Sequence, residues 1–440
     1  MLRQLREDDF PPEALRRGRA GTRPGTHARR PRRAPLSRPA RLRRSLLLLG
    51  AVLALVVVLP PLLSSGSPSR HSTPARSATG RAGVTRSRPL ASRQGVGMSP
   101  GPNLAPGSDP GVLPGDVLIA DEGNNRLLLV NPAGAIVWQF PKPGDLAPGQ
   151  TFLSPDDAFF AASGNAILAT EETDQVVSLL SIPRHRILWR YGTPGVPGAG
   201  PNHLDNPDDA MLLPNGDVLV ADIKNCSLLL IGPGAHRPLE RIGTQNTACF
   251  HQPPLRFGSP NGAFPLTDGN YLVTEINGDW VDEMTLSGRI LWSTHPPGVA
   301  YPSDTNEVSP GVYLTVDYST PGQIVEFNQA GKLLWRYGPS TGPGMLRTPS
   351  LCEPIPTNGD ILCNDDGNDR VIVVDPHTDK IVWQYGHTGI EGTAPGYLSE
   401  PDGVDLAPPY SMLSRHASTM GVPSGHCAAG LPAGACTLFP

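Results

Sequence analysis

The chain has 440 residues, of which 51 are Pro and 49 Gly, with 17% charged and 6% aromatic residues. Pro removes a backbone donor and Gly disfavours a helix interior by roughly 1 kcal/mol, so long helices are largely excluded, while 38% hydrophobic residues suffice for a sizeable core. The net charge of −4 hides two unlike pieces: residues 1–93 hold 20 of the 36 basic and 4 of the 40 acidic residues, which leaves 16 basic and 36 acidic in 94–440, an acidic body that disfavours nucleic-acid binding.

In chain order, the first feature is an Arg-rich segment, residues 1–44, with 14 Arg. It leads into LLLLGAVLALVVVLPPLL at 46–63, an uncharged run of 18 residues, just long enough for a helix across a ~30 Å hydrocarbon layer. The spacing predicts a transmembrane helix over 45–63, with residues 1–44 cytoplasmic by the positive-inside rule and everything beyond extracytoplasmic at the cell membrane. A cleaved signal peptide is the alternative, although the basic leader is long for one and no A-x-A site follows. Residues 64–110, rich in Ser, Pro, Gly and Arg, have the composition of a disordered, solvated linker.

Beyond residue 111 the chain repeats. Trp138, Trp189, Trp292, Trp335 and Trp383 occupy one column, with Glu240 in the remaining unit, at steps of 51, 51, 52, 43 and 48 residues. That is the period of a propeller blade. GDVLIADEGNNRLLLV at 115–130, GDVLVADIKNCSLLLI at 216–231 and GDILCNDDGNDRVIVV at 359–374 align without gaps, and turns such as PNGD and TNGD mark hairpins. A shorter segment precedes most units (SPDDAFF, NPDDAML, SPNGAFP, YPSDTNE, TPSLCEP), and a further copy, EPDGVDLAPP, follows the last Trp. The fold class expected is therefore all-β: a six-bladed β-propeller over 111–409, in which a C-terminal strand closes blade one and removes an open sheet edge, preceded by one transmembrane helix and followed by a tail, 410–440.

The stretch WRYGTPGVPGAGPNHLDNPDDAMLLPNGDVLVADIKNCSLLLI at 189–231 resembles the NHL repeat, and the G-x-x-x-W endings at Gly134/Trp138, Gly288/Trp292 and Gly331/Trp335 are similar to quinoprotein-like propellers. Both resemblances imply the propeller fold and neither implies an activity, since propellers host binding and catalysis alike. The phrase D-A-x-L-L-P-N-G also resembles bacterial arylsulfotransferases. Their catalytic His would fall near Pro207/Asp208, where this chain has none.

Two acidic columns are the candidate sites. Asp156, Asp157, Asp208, Asp209, Asp304 and Asp402 stand at the start of the expected innermost strands, which line a propeller's channel; they are the candidate ligand-binding residues. Asp121, Thr170, Asp222, Glu275, Asp317 and Asp365 end the second strands, and their five carboxylates form either a cation-attracting face or hydrogen-bond acceptors for their own turns. The sequence identifies no cofactor and no catalytic residue; Ca²⁺ is the ion that an all-oxygen set would suit. Six Cys suggest three local disulfides, Cys226 with Cys249, Cys352 with Cys363 and Cys427 with Cys436, which fit an oxidising exterior. The expected function is a membrane-anchored extracytoplasmic module that binds or senses an extracellular ligand or protein partner. A metal-assisted lyase or hydrolase and an envelope assembly scaffold are the alternatives.

Overall fold

The computed structural model describes residues 99–244 and 248–416. Both the apolar run at 46–63 and the Cys427/Cys436 pair lie outside the described residues. Among the described residues no helix is long and apolar enough to cross a membrane.

The described chain forms six four-stranded antiparallel sheets. Blade one uses Val117–Asp121, Arg126–Val130 and Ile136–Phe140 of the N-terminal repeat, and its innermost strand is Pro401–Leu406 from the other end of the chain, with Val117 opposite Leu406. The expected closure is therefore present. In blades two to six the four strands follow one another in sequence. The first three strands of a blade are buried on both faces, as in Ala166–Glu171 and Val176–Ser181, and so read as near-continuous apolar runs. The outermost strand is solvated on one face and alternates, as in Ile136–Phe140, where Trp138 and Phe140 are buried and Val137 is exposed.

The Trp column sits in these outermost strands and ties neighbouring blades together. Trp138 Nε1 donates to Ile182 O of blade two, Trp335 Nε1 to Asp379 of blade six, and Trp383 Nε1 across the closure to Pro132 O of blade one. Residues on the N-terminal side of the repeats also dock: Leu104 bridges to Tyr385, and Asp109 N donates to Val382 O in blade six. At the other end, a short helix, Met412–His416, is held by Met412 N on Asp405 and by Arg415 on Glu353, 2.7 Å away.

Two expected disulfides are formed. Cys352 and Cys363 face each other directly across the inner strands of blade six, Cα atoms 4.2 Å apart. Cys226–Cys249 joins the turn of blade three to the segment entering blade four, Cα atoms 5.1 Å apart.

Candidate functional site: a carboxylate-lined channel

In a regular strand neighbouring side chains point to opposite faces, so an Asp-Asp pair would split. A repeated bulge prevents this. In blade two Pro155 pairs with Glu171 and Ala158 with Ala169, so the inner strand carries one extra residue at Asp156–Asp157. The same shift occurs at Asp208–Asp209, at Ser303–Asp304, between Pro260 and Gly262, and between Pro401 and Val404. Counted from the Pro that opens each segment, the first position reads Asp402, Asp156, Asp208, Asn261, Ser303 and Ser350 from blade one to blade six, and the second reads Gly403, Asp157, Asp209, Gly262, Asp304 and Leu351.

The bulges bring carboxylates from three blades to one point. Ligand oxygens of Asp157, Asp208, Asp209 and Asp304 all lie within 4.8 Å of one another, and all four residues are buried. Asp304 accepts a hydrogen bond from Asn261 Nδ2 at 3.3 Å. Neither carboxylate oxygen of Asp209 accepts from an N–H or O–H donor, nor does Oδ1 of Asp157 or Oδ2 of Asp304, and the Asp209 and Asp304 carboxyls stand within hydrogen-bonding reach of each other. Among the described residues no Arg or Lys forms an ion pair with any of the four. Burial pushes the Asp157, Asp208 and Asp209 carboxyls well above the usual carboxylate range, and the Asp304 charge adds to each shift; Asp304 itself is pushed up to about 6 by burial. Two glycines make the space. A methyl placed on Gly262 would fall on Oδ2 of Asp209 and 2.8 Å from Oδ1 of Asp304, and one on Gly403 would stand 2.6 Å from Oδ1 of Asp157.

A second buried acidic group forms where ligand oxygens of Glu122, Asp156 and Glu172 fall within 4.8 Å of one another. Burial, with the nearby Asp402 charge, pushes Glu122 up to about 8 and Asp366 well above its ordinary value. Glu172 accepts from Asn206 Nδ2 at 2.5 Å. Glu122, Glu172 and Asp366 were not among the residues expected from sequence. Their signal was available: each immediately follows the carboxylate that ends a second strand.

That second-strand column does different work. Each inner strand's opening Pro pairs with the carboxylate in blades one to five, and this corrects one register: Pro155 faces Glu171, not Thr170, so the column is Asp121, Glu171, Asp222, Glu275, Asp317 and Asp365, acidic in all six blades. The slip arises because blade two has one more residue between Gly164 and Glu171 than blade one has between Gly115 and Asp121. In every blade the carboxylate accepts a backbone N–H from the residue two before that Pro: Ser399, Leu153, Asp205, Gly258, Ala300 and Arg347. A side chain completes the latch, as with Arg126 on Asp121 at 2.6 Å, Arg190 on Glu171 at 2.7 Å, Arg370 on Asp365 at 2.7 Å and Gln323 on Asp317 at 3.0 Å. These buried carboxylates thus hold the loop that delivers the bulged strand to the channel, and the geometry is that of turn acceptors.

The comparisons with known proteins add the fold alone. No family model matches the chain, and no curated protein matches it. Among solved structures, a protein of unknown function from Bacteroides caccae is similar at 20% identity over 66% of this chain and 98% of that one, with a TM-score of 0.47. A streptogramin B lyase is similar at 16% identity over 68% and 88%, TM-score 0.45, and virginiamycin B lyase from Staphylococcus aureus at 16% over 61% and 80%, TM-score 0.42. The NHL resemblance therefore stands at the level of the six-bladed propeller.

Proposed function

We propose that the protein is a ligand-binding propeller, held on the outer side of the cell membrane by the apolar run at 46–63, whose channel carboxylates take up a hard divalent cation, Ca²⁺ in the first instance. The observation that carries this reading is the convergence of Asp157, Asp208, Asp209 and Asp304, four buried carboxylates, with no N–H or O–H donor on either oxygen of Asp209. Oxygens bound to Ca²⁺ at roughly 2.4 Å lie at most about 4.8 Å apart across the ion, and the ligand oxygens of this cluster all fall within that limit. A buried carboxylate without a donor is costly, and a cation supplies the missing charge. The Glu172 charge, which is felt at Asp208, supports the same reading, because it adds to the negative potential that attracts a cation. Disulfides in blades three and six suit the extracytoplasmic side.

Elemental analysis of the full chain purified without chelator tests the site. One hard divalent cation per chain, lost in an Asp157→Ala/Asp209→Ala variant that remains folded, is the expected result; a metal-free protein that takes up none on titration refutes it. Protease accessibility of the propeller on intact cells tests the placement, and protection of the propeller with exposure of residues 1–44 would reverse it.

A further inference from the structure

Blade four departs from the latch of its neighbours. In blade two the carboxylate Glu171 is met by Ser178 Oγ at 2.6 Å and by Arg190 at 2.7 Å. Strand register places Asp282 where Ser178 stands, opposite Val273, and Ser293 where Arg190 stands, opposite Asp282. Blade four has thus exchanged a hydroxyl for a second carboxylate and a guanidinium for a hydroxyl, beside the buried Glu275. Asp282 is fully buried and neither of its oxygens accepts from an N–H or O–H donor, while its carboxyl stands within hydrogen-bonding reach of Glu275. Into this pair reaches His251 from the segment tethered by Cys249, with Nδ1 3.0 Å from Oε1 of Glu275 and 3.8 Å from Oδ2 of Asp282. The second oxygen of Glu275 is fixed by Gly258 N. Trp280 stacks on the His251 ring with centroids 4.1 Å apart, and the His295 ring also packs against the indole, tilted, at 3.7 Å.

We infer that His251, Glu275 and Asp282 form a second metal site, separate from the channel, for a borderline divalent ion of the zinc class. One imidazole nitrogen with two carboxylate oxygens is a donor set that zinc accepts and that Ca²⁺, which prefers oxygens alone, does not favour. Zinc ligands at about 2.0–2.2 Å in a tetrahedron stand roughly 3.3–3.5 Å apart, and the two measured spacings bracket that value. His251 is about a fifth exposed, its side-chain exposure being 21%, which leaves a fourth position open to water. The ion would do in blade four what Arg does in blades one, two, three and six: neutralise the latch and fix the loop entering the innermost strand.

The test uses chelator-treated full chain and Co²⁺ as a spectroscopic stand-in, with excess Ca²⁺ present to fill oxygen-only sites. The expected result is one equivalent of Co²⁺ with ligand-field absorption of nitrogen and oxygen ligation, quenching of Trp280 fluorescence, and displacement by Zn²⁺. His251→Gln and Asp282→Ser, the latter installing the blade-two residue, should each weaken Co²⁺ at least about tenfold while neither lowers the melting temperature of the metal-free protein. A Co²⁺ spectrum unaltered by His251→Gln would overturn the assignment. So would an Asp282→Asn variant that melts higher than wild type when no metal binds to either, because Glu275 and Asp282 would then share a proton in place of an ion.

Discussion

Replacing Gly262 by Ala is the most local perturbation of the channel. The glycine lies at the bulge of blade four's innermost strand, where the other acidic blades carry Asp157, Asp209 and Asp304. A methyl there collides with Oδ2 of Asp209, approaches Oδ1 of Asp304 to 2.8 Å, and meets the Phe264 ring at 2.7 Å. All three are shorter than the 3.4–4 Å of ordinary contact, so Asp209 and Asp304 must shift away from the methyl. Overpacking of a tight interior costs about 1–3 kcal/mol. The larger effect falls on the cation, because displacing two of four ligands removes their simultaneous reach, and an affinity loss of at least about tenfold corresponds to about 1.4 kcal/mol. Calcium titration calorimetry and melting with and without Ca²⁺ separate the two effects: the variant should melt lower without metal and gain less from Ca²⁺ than wild type does. Wild-type affinity in Gly262→Ala would refute the assignment of Asp209 and Asp304 as ligands.

Removing the chain from Pro401 onward takes away blade one's innermost strand and leaves Val117–Asp121 as an unpaired apolar edge; the truncated protein should aggregate or melt without cooperativity, as size-exclusion chromatography and calorimetry would show. Chain-entropy arguments give about 3 kcal/mol for each disulfide, with Cys226–Cys249 slightly above Cys352–Cys363 because it closes 23 residues against 11, so Cys226→Ala/Cys249→Ala should melt slightly lower than Cys352→Ala/Cys363→Ala. Burial raises the carboxyls of Asp222 and Asp405 to about 7. A carboxyl with a folded pKa above its unfolded value keeps its proton longer in the folded state, so this contribution is complete below about pH 4 and lost as pH rises through about 7. Urea midpoints of the metal-free protein should therefore fall between pH 4 and 7, and the slope should shrink in Asp405→Asn.

The architecture was legible because it is periodic. The Trp column, the aligned 115–130, 216–231 and 359–374 segments and the sixth short copy at Asp402 sufficed for six blades and their closure. The channel aspartates were legible as a column, but their convergence was not: two consecutive Asp reach one point only through the bulge, and a bulge leaves no residue signature in SPDD or NPDD. The Thr170 register failed for the related reason that a one-residue slip moves a side chain to the other face. Blade four's cluster was hidden differently. His251 lies in a loop and Asp282 in a third strand, 31 residues apart, and only the fold brings them together.

The central claim is that the channel carboxylates form a cation site. Its most direct test is calorimetric titration of Ca²⁺ into the chelator-treated full chain, beside Asp209→Asn. The account predicts saturable binding of one Ca²⁺ that raises the melting temperature, with affinity at least about tenfold weaker in the variant. Absence of both heat and melting shift in the wild type, or identical titrations for the two proteins, would contradict it.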